Sequence, residues 1–255
     1  MKSAYDRRIA RAQELAAQFP QSSNVLDFYR RIAVLQKAVF EGLAARADTD
    51  VRTVLRHLPA LTDLIKTHGP ARLAEHADAD LGSRIVAFWD AGAKTAGIKI
   101  GIESGMGSES LFFARALLQP YAEWLATRGN PQQQTQEAAC PCCGGRPVAG
   151  VLRGEGDGAK RSLICSLCAT EWQYRRIVCP NCGEQNKDQL PVYIANEIDY
   201  VRVEACDTCK TYIKSVDLTR NGHAIPTVDE LATIALNIWA DEHGYIKLET
   251  NLLGM

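Results

Sequence analysis

Nine cysteines fall within 70 residues: Cys140, Cys142, Cys143, Cys165, Cys168, Cys179, Cys182, Cys206 and Cys209. Thiolates are soft ligands for zinc and iron and the nucleophiles of disulfide chemistry. Eight of the nine form C-x-x-C pairs, which taken in order give C-x2-C-x21-C-x2-C and C-x2-C-x23-C-x2-C. Both spacings suit a four-cysteine metal site. The two units are copies. "CPCCGG" at 140 and "CPNCGE" at 179 share C-P-x-C-G, and "ICSLCATEW" at 164 matches "ACDTCKTYI" at 205. In this register Cys142 stands where the second copy has Asn181, so it is the ninth, unpaired thiol.

The spacing has a physical cause. A C-x-x-C turn puts two thiolates at two corners of a tetrahedron, and the glycine after it tolerates the backbone geometry that aims amides at sulfur. A second knuckle, carried over by a hairpin, completes four-coordination. A module of roughly 40 residues has too little core to fold alone, so the metal supplies the missing stability. The expected ligands are Cys140, Cys143, Cys165 and Cys168 in the first site and Cys179, Cys182, Cys206 and Cys209 in the second. Each site would hold one ion, iron or zinc. The N-terminus has no apolar signal region, so a cytoplasmic, reduced chain is expected, and four disulfides are not.

Other chemistries find less support. The five histidines, His57, His68, His76, His223 and His243, have no ligand spacing to any cysteine pair. Two closed four-thiolate sites offer neither an open coordination position nor a general base, so no enzyme is expected. Residues 131–222 carry eleven Lys/Arg and eleven Asp/Glu. Metal-loaded, the cysteines would make this region acidic, which opposes nucleic-acid binding. No apolar run approaches the length of a membrane span.

The elements that must position these thiols divide at a change in composition. Residues 1–128 contain no cysteine and read as a bundle of five or six helices. Leu26, Tyr29, Ile32, Val39 and Leu43 share one helical face. Val51, Val54, Leu55, Leu58, Leu61 and Ile65 share another, ended by Gly69-Pro70. Leu111, Ala114, Leu118, Tyr121 and Leu125 form a third stripe, with Ser108 as its expected N-cap. "GAKTAGIKIGIESGMG" (92–107) matches no phosphate-binding pattern and reads as a surface loop. Residues 129–139 read as a linker, 140–177 and 178–222 as the two metal modules, and 223–255 as a C-terminal helix and tail. In that helix Thr227 and Glu230 have capping-box spacing, Leu231, Ile234 and Ile238 share a face, and Gly244 ends it.

The runs "CPCCGGRPVAGVL", "RSLICSLCATEWQYRRIVCPNCGE", "VEACDTCKTYIKSVDL" and "VDELATIALNIWADEHGY" resemble the formate dehydrogenase accessory protein family, FdhE, from Cys140 to the C-terminus. The resemblance implies an α+β fold: an N-terminal helical bundle, then two rubredoxin-like (zinc-ribbon-like) modules and a C-terminal helix. It implies a cytoplasmic chaperone for respiratory formate dehydrogenase biogenesis. The partner would be the molybdenum- or tungsten-containing catalytic subunit, bound before export. The remaining alternative is a rubredoxin-like electron carrier or redox-sensing iron protein.

Overall fold

The computed structural model describes residues 3–46, 50–93, 107–129, 137–156 and 158–255. The helical half contains α1 (Ala4–Gln18), α2 (Ser23–Arg46), α3 (Leu58–His68), α4 (Ala71–Ala74), α5 (Leu81–Ala93) and α6 (Ser108–Ala126). Ser3 and Asp6 form a capping box that starts α1, each side chain accepting from the other's amide at 3.0 and 3.1 Å. Pro20 opens the short turn between α1 and α2, and Gly69 caps α3. The stripe on α2 is buried as its periodicity demands. The second stripe is split: Val51, Val54 and Leu55 lie in a 3-10 turn (Val51–His57) ahead of α3. Val51, Val54, Leu61 and Ile65 are buried, while Leu55 and Leu58 are half-buried. α6 is buried nearly all round, which makes it the centre of the bundle.

Ser108 is not the N-cap of α6. Gly107 holds that position, and Ser108 is the first helical residue, its hydroxyl donating to the Glu109 carboxylate at 2.8 Å. The glycine-rich 92–107 loop lies, over residues 94–106, outside the described residues, as do residues 130–136 of the linker.

The cysteine half is built on strands β1 (Pro147–Glu155), β2 (Gly158–Cys165), β3 (Glu171–Gln173), β4 (Val192–Ile194), β5 (Val201–Cys206) and β6 (Thr211–Asp217). In each copy the knuckles flank an antiparallel hairpin, β1–β2 in the first and β4–β5 in the second. The strand after the last knuckle then adds to the hairpin, β3 on β2 and β6 on β5. The copies do not stand apart. β1 pairs parallel with β6, which fuses them into one sheet of order β3-β2-β1-β6-β5-β4. Gly150 lets the strands meet there: a Cβ at this position would lie 2.0 Å from Ser215 Oγ.

The C-terminal helix is two helices, α7 (Pro226–Ala232) and α8 (Ile234–Glu242), and the short β7 (Ile246–Lys247) follows on β6. Thr227 and Glu230 form no capping box. Pro226 opens α7 without a side-chain cap, and Glu230 is buried at 1% exposure. The break at Thr233 has a cause in β6. Lys214 Nζ, fully buried, donates to the carbonyls of Glu230 and Thr233 at 2.6 and 3.1 Å and to Thr233 Oγ1 at 3.1 Å, taking carbonyls that a continuing helix would use. The expected shared face therefore splits: Leu231 is buried, Ile238 is 56% exposed. Gly244, at φ +76°, ends α8 as its position suggested.

α7 packs on α1 and α2 on one side and on β1 and β6 on the other. Its consecutive carboxylates face different partners. Asp229 accepts from Arg11 of α1 at 2.6–3.2 Å, from Tyr200 Oη at 3.0 Å and from the Ile225 amide at 2.7 Å. Glu230 pairs with Lys214 at 3.1 Å, with Lys247, and with Asn251 Nδ2 at 2.9 Å.

Burial alone would raise the Glu230 carboxyl, but Lys214 and Lys247 outweigh it and hold the group at about 2 against an ordinary 4.5. A depressed carboxyl contributes stability above its unfolded pKa and loses it as pH falls through the folded value. Between pH 4.5 and about 2 this group alone should therefore withdraw on the order of 3 kcal/mol. Denaturant titrations across that window, at matched metal content, should give a shallower pH slope for Glu230→Gln than for the parent chain.

Candidate metal centres

The eight paired cysteines converge into two groups, Cys140/Cys143/Cys165/Cys168 and Cys179/Cys182/Cys206/Cys209, and within each the sulfurs lie inside 4.8 Å of one another. The knuckles build this locally. In the first, the Gly144 amide donates to the Cys140 carbonyl at 2.8 Å and the Cys140 amide to Gly145 at 2.9 Å. The second copy repeats both bonds, Gly183 to Cys179 at 3.0 Å and Cys179 to Glu184 at 2.9 Å. Every C-x-x-C is followed by a residue at positive φ: Gly144 (73°), Ala169 (52°), Gly183 (78°) and Lys210 (54°). The first knuckle of each copy meets this demand with glycine, and the second accepts the cost of a side chain in the left-handed region.

The turns aim amides at sulfur. Cys142 N donates to Cys140 Sγ, Leu167 N to Cys165 Sγ and Asn181 N to Cys179 Sγ, each at 3.4 Å. Thr170 Oγ1 lies 3.1 Å from Cys168 Sγ, and its counterpart Thr211 Oγ1 lies 3.0 Å from Cys209 Sγ. Sulfur–sulfur distances across the groups are 3.5 Å (Cys140–Cys168) and 3.4 Å (Cys143–Cys165), then 3.7 Å for both Cys179–Cys209 and Cys182–Cys206. A tetrahedron with metal–sulfur bonds of about 2.3 Å has edges of about 3.8 Å. The donor set and its dimensions fit a four-coordinate soft-metal site in both places.

Proximity also divides the thiols. Hydrogen bonds from Cys143, Cys165 and Cys168 favour a thiolate at Cys140, while burial pushes the Cys165 thiol up. In the second group burial opposes ionisation of Cys209, but hydrogen bonds with Thr211 and Asn181 outweigh it and bring the thiol down to about 6. Burial raises its neighbour Cys182 to about 12. Sulfurs this close cannot all ionise without a cation between them.

The chain matches the family models "FdhE, central domain" over residues 139–176 and "FdhE, C-terminal domain" over residues 165–253. Over residues 139–253 the chain is similar to FdhE proteins. A protein FdhE homolog of Aquifex aeolicus is 27% identical over 94% of this chain and 92% of its own length. One from Pseudomonas aeruginosa is 36% identical over 56% of this chain, an alignment that spans 48% of that relative. The crystal structure of the FdhE protein from Pseudomonas aeruginosa shares the fold, with a TM-score of 0.73 at 24% identity over 99% of this chain and 97% of that one.

Within this chain the two groups have different surroundings. The first is largely buried, and α6 holds it: Gln119 Nε2 donates to the carbonyl of Ser166, inside the second knuckle, at 2.8 Å, and Gln36 Nε2 of α2 donates to Gln119 Oε1 at 3.0 Å. The second group is more open, with Cys182 exposed and Cys209 half-buried. Arg146, just past the first knuckle, donates to Asn181 Oδ1 of the third at 2.8 Å and ties the sites together. The cysteine spacing gives no hint of Gln119, Thr170, Thr211 or the positive φ at Ala169 and Lys210. Only the threonines, two residues past the last cysteine in each copy, could have been noticed from the repeat.

Cys142 is exposed and outside both groups. Cys142→Ser should leave the metal content of the purified chain unchanged, whereas Cys143→Ser should release one ion and leave the second group loaded. Elemental analysis of the two variants checks this, and loss of metal from the Cys142 variant would break the register of the repeat.

Proposed function

We propose that this chain is an accessory protein of formate dehydrogenase biogenesis, a chaperone that binds the molybdenum- or tungsten-containing catalytic subunit in the cytoplasm. Residues 1–128 act as a helical domain, 129–139 as a linker, 140–177 and 178–222 as two rubredoxin-like modules, and 223–255 as the closing helices and tail. Cys140, Cys143, Cys165 and Cys168 bind one iron or zinc ion, and Cys179, Cys182, Cys206 and Cys209 bind a second. The observation that carries this is the pair of four-cysteine groups fused through β1 and β6 into one sheet, in a chain whose residues 139–253 match the two FdhE domain models. A complete thiolate set leaves no coordination position for a substrate, which supports a binding role over catalysis.

Bound metal would neutralise half of each four-thiolate charge and hold both knuckles in register. The chain's own residues prepare for it: knuckle amides donate to Cys140 and Cys179 sulfur, and the hydroxyls of Thr170 and Thr211 lie within hydrogen-bond reach of Cys168 and Cys209 sulfur. Protein purified without oxygen should contain about two metal ions per chain. It should also co-purify with a formate dehydrogenase catalytic subunit. Metal near zero in folded, reduced protein would remove the metal reading, and failure to recover the subunit under both oxidising and reducing conditions would remove the partner.

The exposure of Cys182 favours one second reading, a redox-active iron at the second site that exchanges electrons through its open side. A reversible iron couple that survives Cys143→Ser, which empties the first site, would support it.

A further inference from the structure

Beside the second cysteine group lies a cavity of about 420 Å3, partly walled by Cys179 and Cys206. Part of its lining is an ion cluster. Arg161 of β2 reaches across β1 and β6 to one oxygen of Glu204 on β5, at 2.6 Å, and Arg202 grips the other at 2.7 and 2.9 Å. These side chains are only 2%, 12% and 18% exposed. One carboxylate with both oxygens taken thus faces two guanidiniums. Arg176 and Lys187, also in the lining but exposed, add two more positive charges at its mouth. Arg161 Nε is buried with no hydrogen-bond partner among the described residues. The remaining walls are apolar, and two of them, Ile177 and Val192, are 54% and 49% exposed.

Arg161, Arg202 and Glu204 leave one net positive charge that is largely out of water, and a buried charge is stabilised by an anion beside it. Apolar walls around a few convergent polar groups, at this volume, are the ordinary form of a small-molecule site. We propose that this cavity binds a small organic anion, with a carboxylate or phosphate head at Arg176, Arg202 and Lys187 and an apolar body against Ile177 and Val192. Glu204 and Arg161 orient Arg202 rather than touch the ligand. The site is independent of the proposed partner, since it rests on the cavity and not on the family.

Calorimetric titration of the full, metal-loaded chain tests it with benzoate and phenyl phosphate, which carry both head and body. Inorganic phosphate supplies the head alone and benzyl alcohol the body alone. At least one of the first pair should bind saturably at one site, about tenfold or more tighter than either control. Arg176→Ala removes a head contact, and Val192→Trp fills the mouth. Each should weaken binding about tenfold while circular dichroism and metal content stay unchanged. If benzoate binds and phenyl phosphate does not, the natural head is a carboxylate, and the reverse result assigns a phosphate. Three results would overturn the site: no saturable binding of either probe, equal binding of benzyl alcohol, or metal loss in Arg176→Ala with no anion bound by the parent chain. The last would mean that the arginines serve only to balance thiolate charge.

Discussion

Two adjacent carboxylates, Asp229 and Glu230 on the seven-residue helix α7, join the halves of the molecule. Asp229 is fully buried and bound to Arg11 of the helical bundle, while Glu230 is buried against Lys214 of the sheet. Buried charges are tolerated only when paired and hydrogen-bonded, and removing one partner of such a pair costs about 3–5 kcal/mol. The orientation of the bundle on the sheet is thus tied to polar geometry that tolerates little displacement. Apolar packing alone would let the two faces slide. The same device recurs at the other seams: Arg8 of α1 to Glu123 of α6 at 2.8 Å, and Arg115 of α6 to Glu249, Thr250 and Asn251 of the C-terminal segment.

Fixing the bundle on the sheet fixes the environment of the first cysteine group. α6 can hold the second knuckle through Gln119 only if the bundle sits where Arg11 and Arg115 put it. Among the described residues the second group takes no such bond from the bundle, although its own knuckles repeat the internal hydrogen bonds of the first. The C-terminal segment reaches its second knuckle instead, Tyr245 Oη donating to Asp207 at 2.9 Å. Duplication therefore reproduced the ligand set, and the bundle then made the copies unequal. A buried tetrathiolate is shielded from water and competing ligands. An open one exchanges with both.

The cysteine groups were legible in the sequence because four-coordination demands a fixed local spacing, and C-x-x-C repeated at matched offsets can hardly arise otherwise. The apolar stripes of α2, α3 and α6 were legible for a similar reason: their periodicity is a direct image of burial. What stayed hidden depends on contacts between segments far apart in the chain. Nothing in "VDELATIALNIW" announces that a lysine from β6 will take the carbonyls at Glu230 and Thr233 and break the helix. Thr227 and Glu230 offered a plausible capping box, but burial of Glu230 beside two lysines was the stronger demand. The parallel join of β1 to β6 left only Gly150 as a trace, and a lone glycine in a strand marks a bulge or a tight bend as readily as a close approach of backbones.

The join also accounts for two modules where one would bind a metal. A single ribbon of this size has little core beyond its ion. Fused through β1 and β6, the pair gains a sheet six strands wide along its main path, and α7 can bury one face of the central strands. Lys214 and Ser215, both in β6, are then as buried as any leucine of the bundle. Metal at either site would stabilise strands shared with the other. Through β6 and the Lys214–Glu230 pair that stabilisation reaches α7, and through Asp229 it reaches α1. Loading of the cysteine half and docking of the helical half are thereby parts of one connected equilibrium, with α7 as the link between them.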